Sequence, residues 1–205
     1  MTSKVMRYAI TDRSLFPGDE PQRRSALVRQ AALLSAEGVD LLQLREKDLP
    51  AATLASLALT LLQTLRSSGT KLIINTRADI AVATCAHGVH LTSSLDELPP
   101  RQIHDLYAQA NLPAPIVTLS CHTLQDVVRH RLEPLSAILF GPVFEKSVSG
   151  EYRTEGTGLA LLQQACAAAA PIPVLALGGI TPDNLPTCLQ AGASGIAGIR
   201  LFQRH

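Results

Sequence analysis

The stretch QLREK sets Gln43, Arg45 and Lys47 at alternate positions. On a strand, that alternation turns all three side chains toward one face, here toward the interior of the fold. An Arg and a Lys among buried polar groups need an anion, from the protein or from a ligand. Phosphate or pyrophosphate suits them, because Arg offers a bidentate fork and Lys a point charge. A second anion signal is LALGGI followed further on by Gly198-Ile199-Arg200. Gly178 and Gly179, and the small Gly198, let backbone N–H groups approach a phosphate where a helix starts. LSCHT adds Ser120 and His122, and an imidazole titrating near neutrality can take a proton and return it. Asn75, in INTRAD, and Lys146, in FEKS, complete the candidate polar set.

Each group has a structural alternative. Arg45 and Lys47 can pair with Glu46, Asp48 or acids on nearby strands. His122 can be a surface histidine at a helix start, and Cys121 beside it fits packing better than reaction. Asn75 to Asp79 reads equally as a helix N-terminus, with Thr76 as N-cap and Asp79 as its capping-box partner. His87 and His90 are three apart, so on a strand they face opposite ways and do not share a metal.

The elements that must position these residues are short and regular. VMRYAIT, VDLLQLRE, KLIIN, GVHLT, APIVTLS, AILFGPVF, IPVLALGG and GIAGIRLF read as eight strands rich in Val, Ile and Leu. Helical patterns such as PQRRSALVRQAALLSAEG and LPAATLASLALTLLQTLRSSG separate them, with stops at Glu37-Gly38 and Ser68-Gly69. Strand and helix in eightfold alternation predict an α/β protein, a small (β/α)8 TIM barrel formed by one domain over residues 1–205. Its last helix is short or absent, since the sequence runs out at FQRH, and a second copy can cover the exposed edge as a homodimer. An open doubly wound sheet would need a dinucleotide fingerprint that is not found. The polar residues above then fall at strand C-termini, where barrels carry their sites. Residues 145–158 form a long loop of the kind that binds or covers ligands.

Composition narrows the function. The apolar fraction is 46 %, with no Trp and few other aromatics, which fits an aliphatic core around a parallel sheet. A net charge of +1 without a basic block argues against nucleic acid. The sequence carries neither a signal-peptide pattern nor an apolar run of ~20 residues, so no membrane partner is expected and a cytoplasmic location is. Cys85, Cys121, Cys166 and Cys188 lack metal-ligand spacing and read as reduced structural thiols.

YAITD, QLREK, IINTRAD, HGVHL, LSCHT, FGPVF, IPVLALGGITPDN and GASGIAG follow one another from Tyr8 to Arg200. In that order they resemble the thiamine-phosphate synthase/TenI family of small (β/α)8 barrels. The resemblance implies one of two activities. The synthase joins a pyrimidine pyrophosphate to a thiazole phosphate with Mg2+; the TenI type aromatises a thiazole-carboxylate phosphate by moving a proton. It also implies a pyrimidine-pyrophosphate site at Gln43, Arg45, Lys47 and Asn75, with Ser120 and His122 as its Ser-x-His. Gly178, Gly179 and the Gly198–Arg200 backbone would meet the thiazole phosphate.

Three departures bear on the choice. The synthase pattern has a Mg2+-ligating Asp after the Asn, where this chain has Thr76. Its second carboxylate falls on Leu95, with Asp96 one residue late. Its Thr-x-Thr-Lys pyrophosphate loop reads Glu145-Lys146-Ser147-Val148-Ser149. Losing the carboxylates favours a TenI-like thiazole tautomerase, with no metal, no cofactor and His122 as acid and base. The alternatives are a Mg2+-dependent thiamine-phosphate synthase, favoured by the retained Arg45 and Lys47, and a non-catalytic binder of thiazole or thiamine phosphates. The partner in every case is a small phosphorylated thiazole.

Overall fold

The computed structural model describes residues 4–94, 96–148 and 152–203. Eight strands form a closed parallel barrel of the (β/α)8 type: β1 (Met6–Ile10), β2 (Leu41–Leu44), β3 (Lys71–Asn75), β4 (Gly88–Thr92), β5 (Ile116–Cys121), β6 (Ala137–Phe140), β9 (Val174–Leu177) and β10 (Gly195–Gly198). Round the barrel they run β1, β10, β9, β6, β5, β4, β3, β2. Two three-residue strands, β7 (Lys146–Val148) and β8 (Tyr152–Thr154), pair antiparallel as a separate ribbon. Helices α1 (Glu20–Ala36), α2 (Ala51–Leu65), α3 (Ala78–Ala83), α4 (Pro100–Gln109), α5 (Leu124–His130), α6 (Gly158–Ala169) and α7 (Leu185–Gln190) separate the strands. Among the described residues, β10 is followed by a 3-10 turn, Arg200–Phe202. No helix among the described residues is long and apolar enough to cross a membrane.

The chain gathers into two compact units. One comprises Arg7–His90, Gln102–Ile116 and the segment from Ile199; the other comprises Leu91–Arg101 and Val117–Gly198 with the start of the chain. In the first unit, β1 pairs with β2, β2 with β3 and β3 with β4, so Ile10 lies beside Gln43 and Asn75 beside His90. Its core is aliphatic, with Leu42, Leu44, Leu61, Leu72, Ile73 and Ile74 fully buried. Strands buried on both faces need continuous apolar runs rather than alternation, which is why LLQL and KLII read as they do. The 3-10 turn is tied back to α1: Gln30 Nε2 donates to the Phe202 carbonyl at 2.6 Å, and the Arg7 guanidinium lies 5.6 Å from the centre of the Phe202 ring.

The helix starts have identifiable causes. Asp19 caps α1 through a full capping box with Gln22, and Pro21 sits in the first turn, where its missing N–H costs nothing. The expected cap at Thr76 does not form. Thr76 has φ +56°, while an N-cap needs extended backbone, and Arg77 occupies the cap position of α3 without a side-chain bond. Asp79 bonds the Arg77 guanidinium instead. β2 is also shorter than QLREK suggests and stops at Leu44. The Arg45 N–H donates to the Thr11 hydroxyl at 2.9 Å rather than to a strand partner. Lys47 therefore lies in a turn, and strand alternation does not aim it.

Candidate functional site

In the unit built on Arg7–His90, charge is organised around a residue outside the expected set. Arg13 follows β1 and is nearly buried. Its Nε donates to both Glu20 oxygens at 2.9 and 3.1 Å. One terminal nitrogen donates to Glu46 at 2.9 Å and to Asp48 at 2.7 Å, and the other to Asp48 at 2.6 Å. Glu46 is 4 % exposed and also accepts from the Thr11 hydroxyl at 2.6 Å and from the Arg13 N–H. Burial pushes the Glu46 carboxyl's pKa up, against these donors, which favour the carboxylate. The Arg13 guanidinium pulls Asp48 down to about 2. The hub is Arg13, and the residues it collects are 7, 33 and 35 positions away.

The consequence falls on the cations between those acids. With Glu46 and Asp48 committed to Arg13, neither the Arg45 guanidinium nor the Lys47 ammonium has a hydrogen-bond or ion-pair partner among the described residues. This removes the reading in which Arg45 and Lys47 pair with Glu46 or Asp48. Both line a cavity of about 350 Å³ with Arg13, Arg23 and four acids, Asp12, Glu20, Glu46 and Asp48. Three of those acids are held by Arg13, while Asp12 accepts from Ser14. The uncommitted guanidinium and ammonium suit a ligand carrying negative charge.

Gln43 and Asn75 meet as expected of residues on neighbouring strands. The Gln43 Nε2 donates to Asn75 Oδ1 at 2.7 Å, and the Asn75 amide reaches the Thr76 hydroxyl at 3.4 Å. Gln43 is 1 % exposed, and its Oε1 is buried without a donor among the described residues. That acceptor is available to an N–H or O–H of a ligand. His90 is fully buried, edge-on to Tyr8 at 6.3 Å, and burial with the charge of Arg45 lowers its pKa to about 3, so it is neutral. His87 is engaged elsewhere, its Nδ1 accepting the Leu72 N–H at 3.1 Å.

The family pattern implies Mg2+, and this corner does not fit it. Asn75 and Thr76 supply an amide and a hydroxyl, and Asp79 is tied to Arg77. Among the described residues no group of three or more His, Cys, Asp and Glu could hold a metal ion. Leu95 lies outside the described residues, and the neighbouring Asp96 is exposed.

The other unit carries the proton-transfer candidates. Ser120 lies near the end of β5 and His122 just beyond it. Asp126 accepts from the backbone N–H of His122 at 3.2 Å and of Thr123 at 3.1 Å, while Thr123, not His122, caps α5. The His122 Nδ1 lies 2.6 Å from the Gly141 carbonyl oxygen. A carbonyl only accepts, so this contact places the proton on Nδ1 and leaves Nε2 of the neutral ring as an acceptor. Cys121 is buried and its thiol is pushed up to about 12, so it packs rather than reacts.

The Gly178-Gly179 pair has a packing reason of its own. Both have positive φ, +92° and +64°. A Cβ on Gly178 would stand 2.7 Å from Pro142, and one on Gly179 2.7 Å from the Phe144 side chain. The Phe144 N–H donates to the Gly178 carbonyl at 3.2 Å, and Asn184 Nδ2 to the Gly179 carbonyl at 2.9 Å. Gly198 ends β10, Ile199 follows, and Arg200 opens the 3-10 turn, exposed. Lys146 opens β7, and its side chain lies outside the described residues.

Arg13 is the residue that the sequence reading missed. Its only local signal is its place directly after the first strand, in ITDR.

A thiamine monophosphate synthase (TMP-TENI) family model matches residues 7–202. A Geobacter sulfurreducens relative is 38 % identical over 190 residues, spanning 93 % of this chain and 83 % of its own. The thiamine-phosphate synthase of Methanoculleus marisnigri is 32 % identical over 190 residues, with the same coverage of 93 % and 83 %. Among solved structures, the thiamine phosphate pyrophosphorylase of Pyrococcus furiosus superposes with a TM-score of 0.75 at 27 % identity, covering 96 % of this chain and 86 % of that one. With its barrel, its ordered motifs and nearly its whole length matched, this chain belongs to the thiamine monophosphate synthase (TMP-TENI) family.

Proposed function

We propose that the protein is a thiamine-phosphate synthase, joining a pyrimidine diphosphate to a thiazole phosphate with loss of diphosphate. One observation carries this reading: Arg45 and Lys47 line a common cavity and neither has an ion-pair partner among the described residues, Glu46 and Asp48 being held by Arg13. As the bond to the diphosphate breaks, the electron pair and its charge go to the leaving group. Two cations held beside it offset that charge where it develops. Gln43, through its unpartnered Oε1, accepts from the pyrimidine, and Asn75 holds the Gln43 amide in that orientation. The relatives named thiamine-phosphate synthase support this reading over the tautomerase that the sequence alone favours. The Asn75-Thr76 corner lacks the carboxylate that would hold Mg2+.

That missing carboxylate is also what favours the second reading, a thiazole tautomerase. There His122, with Nδ1 on Gly141, would take and return a proton through Nε2. The test is turnover of purified protein given pyrimidine diphosphate and aromatic thiazole phosphate with excess Mg2+. Thiamine phosphate is read after oxidation to its fluorescent product. Formation of product supports the synthase. Its absence, with aromatisation of thiazole-carboxylate phosphate that His122→Gln abolishes, transfers the assignment to the tautomerase.

A further inference from the structure

We propose that Arg13 is a positioning residue for diphosphate binding: by sequestering Asp48 and Glu46, it keeps Arg45 and Lys47 unneutralised for the ligand. The inference rests on the reading above, that Arg45 and Lys47 meet a diphosphate. In REKD, residues 45–48, cations and acids alternate, so the cheapest local arrangement is mutual neutralisation. The protein avoids it with one guanidinium brought from the end of β1. All five hydrogen bonds made by the Arg13 side chain go to carboxylates, three of them to Glu46 and Asp48. The two acids it takes have different environments. Glu46 is almost fully buried and further fixed by Thr11, whereas Asp48 is exposed and sits next to Lys47 in the turn. Without Arg13, Asp48 is thus the acid free to turn onto Lys47 or Arg45 and compete with the ligand. Thr11 couples the two sides, since its hydroxyl donates to Glu46 and accepts from the Arg45 N–H. Of the four acids in the shared cavity, Glu20, Glu46 and Asp48 are held by Arg13 and Asp12 accepts from Ser14, so the acids beside Arg45 and Lys47 in sequence are the ones Arg13 controls.

The test titrates inorganic pyrophosphate calorimetrically into wild type, Arg13→Met and Arg13→Met/Asp48→Asn, with circular dichroism as the check on folding. Arg13→Met is expected to weaken pyrophosphate at least tenfold. Adding Asp48→Asn is expected to recover most of that loss, although it restores no contact to the loop. A purely structural role for Arg13 predicts no recovery, and a folded double variant as weak as the single one overturns the proposal. If Arg13→Met does not fold, Arg13→Lys and Arg13→Lys/Asp48→Asn take its place. One ammonium cannot reproduce the guanidinium's bonds to Glu46 and to both Asp48 oxygens. The single variant is therefore expected to bind pyrophosphate at least about threefold more weakly, and a double variant no tighter than the single one overturns the proposal. The titration reads binding rather than turnover. A protein that binds pyrophosphate in this pattern but makes no thiamine phosphate contradicts only the synthase reading. A wild type that binds no pyrophosphate at millimolar concentration overturns the role of Arg13.

Discussion

Thr76 holds φ +56°, in the left-handed region where a β-branched side chain is strained and Asp or Asn is tolerated far better. The corner thus keeps a backbone better suited to a carboxylate than to the hydroxyl it bears. Thr76→Asp is expected to raise thermal stability by about 1 kcal/mol, or about 2–4 °C in Tm. Added Mg2+ should stabilise that variant more than the wild type. A lowered Tm, or no difference in the response to Mg2+, contradicts this account of the corner. Asp48 gives a pH prediction. Its folded pKa, about 2, lies below the ordinary carboxylate value, so the unfolded chain takes up the proton first. The stability it contributes is complete above about pH 4 and fades as pH falls through 4 toward 2. Thermal unfolding of wild type and Asp48→Asn should therefore differ at pH 6 and converge near pH 2.

Elements follow from local pattern where burial is uniform, and depart from it where side chains divert the backbone. All eight barrel strands coincide with apolar runs read from the sequence, and α1 stops at Glu37-Gly38 as expected, with Gly38 at φ +76°. The misses have physical causes. β2 ends early because the Thr11 hydroxyl captures the Arg45 N–H, and α3 lacks its expected cap because Thr76 is left-handed. The β7–β8 ribbon falls in a stretch read as loop, since strands of three residues carry no periodicity. The glycines separate two roles by measurement. If Gly178 is needed for close approach to Pro142, Gly178→Ala costs about 2–4 kcal/mol without any ligand, seen as a Tm lower by about 5–15 °C. Gly69→Ala, with nothing within 4 Å of the added Cβ, should leave Tm within about 2 °C. An unchanged Tm for Gly178→Ala would point to a purely ligand-binding glycine.

At the scale of the molecule, fold class and family were legible because ordered motifs at the ends of short strands are specific. The choice of activity was less so. Reading Thr76 and Leu95 as lost metal ligands favours a tautomerase, yet Arg45 and Lys47, stripped of internal partners, and relatives named as synthases favour the alternative. What decided their state was Arg13, whose bonds to Glu46 and Asp48 span 33 and 35 residues and leave no trace in local pattern. The central claim is that Arg45 and Lys47 form a diphosphate site. It is tested most directly by titrating inorganic pyrophosphate into wild type and Arg45→Ala/Lys47→Ala. Each charge-assisted contact contributes about 1.5–3 kcal/mol, so the double variant should lose at least ~100-fold in affinity, and wild-type binding should weaken with added salt. Equal affinity in the two proteins would contradict the account.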